Sequence, residues 1–432
     1  MKVCIIGTGY VGLPTGLGLC SLGHKVTCVD TDIKKVAMLS KGQTTLFEPS
    51  LNEMLKEHLK SEAIRFTDSY AIGMRNAEVV IIAVGTPTAK DGKSADLKYI
   101  KEAAKEVALH LPSTFTAICV KSTVPVGTND IVERIIQRYA LYKKFAVVSM
   151  PEFLREGCAI KDFFFTDRII IGTDSKWAMR RISKLYEKHP AFKYFVSRKS
   201  AELIKYASNA FLAIKINYIN EIANLCEKCG ANVNEVAKGM GLDRRIGPLF
   251  LQPGIGFGGS CFPKDTKALT YTAKQFRTSV PLVEVAIYEN EYRALHLAHK
   301  IRRLIAKDKK LAILGLTFKA DTDDCRESQA IKIVEELAKT YKSIKVYDPK
   351  GMENAKKLLG DSIVYDKSIE GATEKADAVI ILTGWKQFKT NWGTVLNNIK
   401  KSAIIIDYVN LLSEEKAKGH RYYCVGNNKK EL

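Results

Sequence analysis

The chain has no apolar run approaching the roughly 20 residues of a membrane span, and Met1-Lys2 leads straight into an apolar strand with no signal segment before it. No membrane partner is expected, and the expected location is cytoplasmic. The ten cysteines lack the rhythm of a disulfide scaffold and fit reduced thiols. Cys226-x-x-Cys229 has no second pair nearby, so no metal site is expected there. Motifs that bind DNA or RNA are missing too. The net charge of +20 comes from Lys and Arg interleaved with acids along the whole chain. It reads as a surface property that would attract an anionic small molecule, and no nucleic-acid partner is expected.

What is present begins at the first residues. Lys2-Val3-Cys4-Ile5-Ile6 is a short apolar strand that runs into Gly7-Thr8-Gly9-Tyr10-Val11-Gly12. A helical stretch from about Leu13 to Leu22 follows. Lys25-Val26-Thr27-Cys28-Val29-Asp30 then reads as a second strand ending in an acid. This is the βαβ dinucleotide pattern: glycines for the turn, a pyrophosphate at the helix N-terminus, and a carboxylate on the ribose hydroxyls. The acid at Asp30 favours NAD over NADP, because a 2′-phosphate would meet a negative charge.

The second signal is Gly258-Gly259-Ser260-Cys261-Phe262-Pro263-Lys264-Asp265. Gly-Gly lets a substrate come close to the backbone, and the thiol has a cation and a carboxylate three and four residues on. A thiol acts through its thiolate, which nearby cations favour. A nucleophilic thiol combined with a nicotinamide points to oxidation through a covalent thiohemiacetal or thioester.

With 432 residues the chain is long enough for two or three domains. Residues 1–197 read as repeated strand–helix units, with strand cores at Val79–Val84, Thr116–Val120 and Ala146–Ser149. Their turns, Gly85-Thr86-Pro87 and Lys121–Thr128, would face a ligand at the strand carboxyl ends. Residues 198–305 contain a long helical pattern from about Ser200 to Cys229. Such a helix can tie two α/β domains together and supply a dimer surface. Residues 306–432 carry a second set of parallel strands without a glycine fingerprint. The expected fold is α/β: two Rossmann-like doubly wound parallel-sheet domains joined by a long central helix and a helical dimerisation region.

These motifs, with Pro151-Glu152-Phe153-Leu154-Arg155-Glu156-Gly157, Asn209–Ala213, Arg245-Ile246-Gly247 and Gly315–Lys319, stand in the order of a known family. The chain resembles the UDP-glucose 6-dehydrogenase family, within the UDP- and GDP-sugar dehydrogenases, nearly end to end. The resemblance implies oxidation of a sugar C6 hydroxyl to a carboxylate with two NAD in succession, so UDP-glucose is the expected substrate and UDP-glucuronate the product. It implies that Cys261 traps the aldehyde and forms the thioester. Lys205 and Asn209 would stabilise oxyanions. Asp265 would hold a water and tune Lys205. Glu152 would be the base for hydrolysis, with Thr123 positioning water. Which of Lys205, Asp265 and Glu152 takes the first proton stays open.

By the same resemblance, NAD contacts fall on Gly7, Gly9, Tyr10, Val11, Gly12, Asp30, Lys35, Thr86, Pro87, Thr123, Lys264 and Arg326. Sugar-nucleotide contacts fall on Glu152, Phe153, Leu154, Glu156, Lys205, Asn209, Phe250, Leu251, Gly258, Phe318 and Lys319. Arg245 would reach the site of a partner subunit, which implies a homodimer or larger assembly. Three positions depart from the pattern: Met150 replaces an asparagine, Ala320 a proline, and Val409 an arginine able to contact the nucleotide sugar. Val409 bears on affinity or on which nucleotide sugar is used, with UDP-N-acetylhexosamines and GDP-mannose as alternatives. Two other classes remain distinct from this one. A 3-hydroxyacid or 6-phosphogluconate-type enzyme would need no nucleophilic thiol. A nucleic-acid-binding protein on a degenerate Rossmann fold would retain RNA without NAD.

Overall fold

A computed structural model describes residues 1–44, 46–417 and 419–427. The chain divides into two compact units. The first comprises Met1–Ser208 and Tyr271–Thr278, the second Asn209–Thr270 and Ser279–Leu432.

The first unit holds β1 (Lys2–Ile6), β2 (Lys25–Val29), β3 (Ile64–Thr67), β4 (Val79–Ile82), β5 (Thr116–Val120), β6 (Phe145–Ser149), β7 (Arg168–Gly172) and β8 (Phe192–Val196). They form one sheet in the order β3-β2-β1-β4-β5-β6-β7-β8. The central strands are buried along their whole length, which is why they read as continuous runs rather than alternating apolar and polar residues. One apolar cluster lies on each face. The first is built on Val3, Ile5, Val79 and Ile81, the second on Cys4, Ile6, Val80 and Ile82. The parallel-sheet expectation needs one correction. β7 joins β6 antiparallel through the pair Ser149↔Gly172, and β8 then continues parallel to β7. The helix Ala159–Phe164 and its turns bring the chain back on the same side, a path that strand composition alone does not encode.

The second unit holds β9 (Leu311–Leu314), β10 (Ile344–Tyr347), β11 (Val364–Tyr365), β12 (Ala378–Ile381), β13 (Ile404–Asp407) and β14 (Arg421–Cys424). Its sheet runs β11-β10-β9-β12-β13-β14 and is parallel throughout. The order reverses at β9/β12, as it does at β1/β4 in the first unit. Such switch points open a crevice at the strand carboxyl ends.

The expected long helix spans Arg198–Cys229, 32 residues and about 48 Å at 1.5 Å per residue. The division between the units falls within it. Two further helices of the second unit position the site: Pro281–Leu304, and Gln329–Ala338 beside β9. The helix Phe262–Gln275 begins immediately after Cys261. No helix among the described residues is long and apolar enough to cross a membrane.

Candidate active site

The fingerprint glycines each meet a different constraint. Gly7 turns the chain at φ +93°, where a Cβ would stand 2.7 Å from the Ala83 carbonyl oxygen. A Cβ on Gly12 would stand 1.9 Å from the Gly7 oxygen. Gly9 has no protein atom within 4 Å of that point, so its backbone is open to a ligand. Beside it, between Tyr10-Val11 and Leu13, the helix Gly12–Ser21 starts without a side-chain cap and without an acid in its first turn. Its first N–H groups and the positive end of its dipole are therefore available to an anion.

Asp30 follows β2 as expected. It accepts hydrogen bonds from the Thr8 amide at 2.9 Å, the Thr8 hydroxyl and the Lys35 ammonium at 2.9 Å. Burial works against its ionisation, but the bonds from Lys35, Thr8 and Asp32 outweigh this and hold its carboxyl below the usual aspartate value. An ionised acceptor thus stands where ribose hydroxyls would arrive. At the end of β4 the buried Thr86 hydroxyl, beside Pro87, donates to the Thr123 carbonyl at 2.8 Å and ties the two predicted turns together. These residues fit a dinucleotide: an open backbone for the pyrophosphate and a fixed carboxylate for the ribose.

A second cluster of the first unit lies past β5 and β6. Lys205 and Glu152 form an ion pair at 3.2 Å with both side chains almost fully buried. Glu152 also accepts from the Leu154 amide. The Phe153 ring has the Arg168 guanidinium 4.3 Å and the Lys205 ammonium 5.2 Å from its centroid. The segment that contains Glu156 is anchored where Glu48 accepts from the Gly157 amide at 2.9 Å.

Lys121 joins this cluster and was not among the expected site residues. It is buried at the end of β5, and burial pushes its ammonium down to about 8; Glu152 and Cys119 oppose that shift, and Lys205 adds to it. The Lys121-Ser122-Thr123 motif was visible in the sequence, but nothing in it marks the lysine as buried.

The second unit holds the thiol. Cys261 is partly buried, with the Ser260 hydroxyl 3.6 Å from its sulfur, at the positive end of the helix Phe262–Gln275. One turn into that helix, Asp265 is fully buried. It accepts from the Asn209 carboxamide at 2.6 Å and from the Lys264 ammonium. Asn209 sits one helical turn after Lys205 in the long helix.

Gly259, at φ +79°, would place a Cβ 2.8 Å from the Phe318 ring, and Gly258 a Cβ 2.6 Å from the Glu327 carbonyl oxygen. Phe318 and the Glu327 carbonyl can therefore approach the loop this closely only because both positions are glycine. Lys319 stands 5.6 Å from the centre of that ring. Phe250, before the buried Leu251, holds a left-handed φ of +64° with its ring 6.1 Å from Phe262. Such a backbone costs a non-glycine residue on the order of 1–3 kcal/mol and concentrates at functional sites.

Two expected arginines have carboxylate partners close by in sequence. Arg245 is exposed and pairs with Asp243. Arg326 pairs with Asp324 through bonds of 2.8 to 3.0 Å, with its side chain about half exposed. Val409 lies partly buried, with its amide on Asp407. No cluster of three or more metal-ligating side chains occurs among the described residues.

Fold and site together define an NAD-dependent dehydrogenase with a thiol in a second nucleotide-binding-type unit. Three family domains match in succession. The NAD binding domain covers residues 1–190, the central domain 199–292 and the UDP binding domain 312–414. A UDP-glucose 6-dehydrogenase of Rhizobium meliloti is 44% identical over 99% of both chains. One of Bacillus subtilis is 43% identical over 99% of this chain and 98% of its own. The solved structure of a UDP-glucose dehydrogenase from Pyrobaculum islandicum superposes with a TM-score of 0.91 at 34% identity, covering 99% of this chain and 97% of that one. The chain belongs to the UDP-glucose/GDP-mannose dehydrogenase family.

Proposed function

We propose that this protein is a UDP-glucose 6-dehydrogenase that oxidises the C6 hydroxyl to a carboxylate in two hydride transfers to NAD. The observation that carries the reading is the thiol Cys261 one turn before the buried Asp265, which accepts from the buried Asn209 and from Lys264, in a chain that also holds an intact dinucleotide fingerprint. The names of full-length relatives support the substrate.

The bound NAD supplies the hydride acceptor for both steps. Gly9 leaves room for its pyrophosphate, Gly7 and Gly12 allow the tight turn that presents it, and Asp30 would orient its ribose. The first oxidation yields an aldehyde. The Cys261 sulfur adds to its carbonyl carbon, and the resulting oxyanion is met by the Lys205 ammonium and the Asn209 N–H group. Loss of a second hydride from this thiohemiacetal would leave a thioester on Cys261. Water, deprotonated by Glu152 with Thr123 orienting it, cleaves the carbon–sulfur bond and releases carboxylate and thiol. Covalent capture keeps the aldehyde bound while NADH leaves and NAD enters. Lys205 already balances the charge of Glu152, so one cation serves both the oyxanion and the carboxylate base.

Within the second unit, Phe250, Leu251, Phe318 and Lys319 suit contacts to a sugar nucleotide; Phe153, Leu154 and Glu156 are proposed as contacts from the order of their motif alone. The exposed Arg245 suits a role at the site of a second copy. A homodimer is supported by apolar side chains left exposed at heptad spacing: Phe211, Tyr218 and Leu225 on the long helix, and Val285, Tyr288, Tyr292 and Leu295 on Pro281–Leu304. Ten cysteines without a disulfide among the described residues support a reducing, cytoplasmic setting. Val409, in place of a cation, favours keeping one second reading: the same chemistry on another nucleotide sugar.

The test is NADH formation from NAD with UDP-glucose, UDP-N-acetylhexosamines and GDP-mannose in parallel. Preferred turnover of UDP-glucose supports the reading. Turnover of another sugar alone moves the substrate and keeps the mechanism, and turnover of none contradicts both.

A further inference from the structure

The two glycines before Ser260 contribute no side chain to the thiol loop, so the groups that fix the backbone on either side help to set where the Cys261 sulfur stands. After the thiol, the helix Phe262–Gln275 does this. Before it, the chain is held by buried amides from three helices. The Asn290 carboxamide makes two bonds to one residue. Its oxygen accepts from the Phe257 amide at 2.7 Å, and its nitrogen donates to the Phe257 carbonyl at 3.0 Å. Gln329 donates to the same carbonyl at 3.3 Å. Three residues upstream, Asn220 accepts from the Gly254 amide at 2.8 Å, and Arg293 donates to its carbonyl at 2.6 Å. Asn220, Asn290, Arg293 and Gln329 are all buried. Gly256, at φ +112°, would put a Cβ 2.5 Å from the Asn290 oxygen. The loop thus has a glycine where Asn290 reaches in.

A carboxamide facing a backbone N–H and C=O acts as one rung of a sheet, joining a helix to a loop that has no strand to pair with. Asn290 lies one helical turn from Arg293 on Pro281–Leu304, so one helix face grips both Phe257 and Gly254. From Phe257 the chain reaches the thiol in four residues, and the Gly259 amide is itself held by the Arg326 carbonyl at 2.9 Å. We infer that Asn290 is a positioning residue of the thiol chemistry, fixing through the Phe257 backbone where the Cys261 sulfur stands relative to the substrate carbon. The inference rests on the assignment of Cys261 as the nucleophile.

Asn290→Asp keeps the shape and the acceptor but turns an oxygen onto the Phe257 carbonyl, and Asn290→Leu removes both bonds. In folded protein with an unchanged thermal midpoint, kcat with UDP-glucose should fall about ten- to a hundredfold, as expected for a displaced reacting atom. KM for NAD should stay unchanged, because Asn290 lies outside the fingerprint unit. The rate at which iodoacetamide alkylates Cys261, read by peptide mass spectrometry, should change several-fold. A purely structural role would lower the midpoint without moving these two readouts. If neither variant folds, Gln329→Leu removes the second donor to the same carbonyl and should give a smaller loss of the same pattern. Wild-type kcat and alkylation in a folded Asn290→Leu, or in Gln329→Leu in its place, overturn the inference. The thiol assignment fails separately, by full turnover of Cys261→Ser, which leaves the alkylation result untouched.

Discussion

Gly9 and Gly12 lie three residues apart, yet their replacement should have opposite consequences. A side chain at Gly12 collides with the Gly7 backbone, so Gly12→Ala should lower the yield of folded protein. A side chain at Gly9 meets no protein atom. Gly9→Val should therefore melt near the wild-type temperature while NAD affinity, measured by calorimetry, falls about tenfold or more, because the Cβ occupies the pyrophosphate's approach. Lys121 makes a second prediction at this scale. Its folded pKa lies below that of an exposed lysine, so the unfolded chain binds more protons between about pH 8 and pH 10.5. Stability is reduced by the buried charge below about pH 8 and recovers as pH rises through that window. Lys121→Met should then raise unfolding stability at pH 7 by up to about 3 kcal/mol and flatten the rise towards pH 10 in denaturant titrations. The glycines, Asp30 and Cys261 were legible because their spacing is dictated by chemistry. Lys121 was not, because a lysine's burial is decided by what folds over it.

Helix ends and loop anchors set the next scale. Glu202, in the long helix one turn before Lys205, accepts from the Gly127 and Asn129 amides and from the Asn129 side chain, each at 2.7 Å. It thereby supplies the acceptor that the N-terminus of the helix Thr128–Tyr139 lacks on its own side chains. Glu202→Leu should cost about 1–3 kcal/mol and accelerate hydrogen exchange at Gly127 and Asn129 before other amides of that helix. The strand cores and the long helix were readable from apolar runs and 3.6-residue periodicity. The antiparallel entry of β7 and the clamp on Phe257 were not, since both depend on partners far away in sequence.

Over the whole molecule, the charge and the exposed apolar helix faces make separate claims. With a net charge of +20, attraction of a nucleotide diphosphate should weaken with salt, so KM for UDP-glucose should rise between low and high ionic strength while kcat holds. Tyr218→Asp with Tyr288→Asp should lower the mass seen by sedimentation if those faces join two copies. The two-sheet architecture followed from the repeated strand–helix pattern. The substrate's identity was less legible, because Val409 stands where the family resemblance implies an arginine.

The central claim is the covalent step at Cys261, and it is tested most directly by quenching Glu152→Gln during turnover of UDP-glucose with NAD and taking the mass of the peptide containing Cys261. The expected result is a thioester-linked UDP-glucuronyl adduct on that cysteine, with two NADH formed for each adduct, because both oxidations precede the hydrolysis that Glu152 serves. Full conversion to UDP-glucuronate by Cys261→Ser, with no adduct on any cysteine in Glu152→Gln, would contradict it.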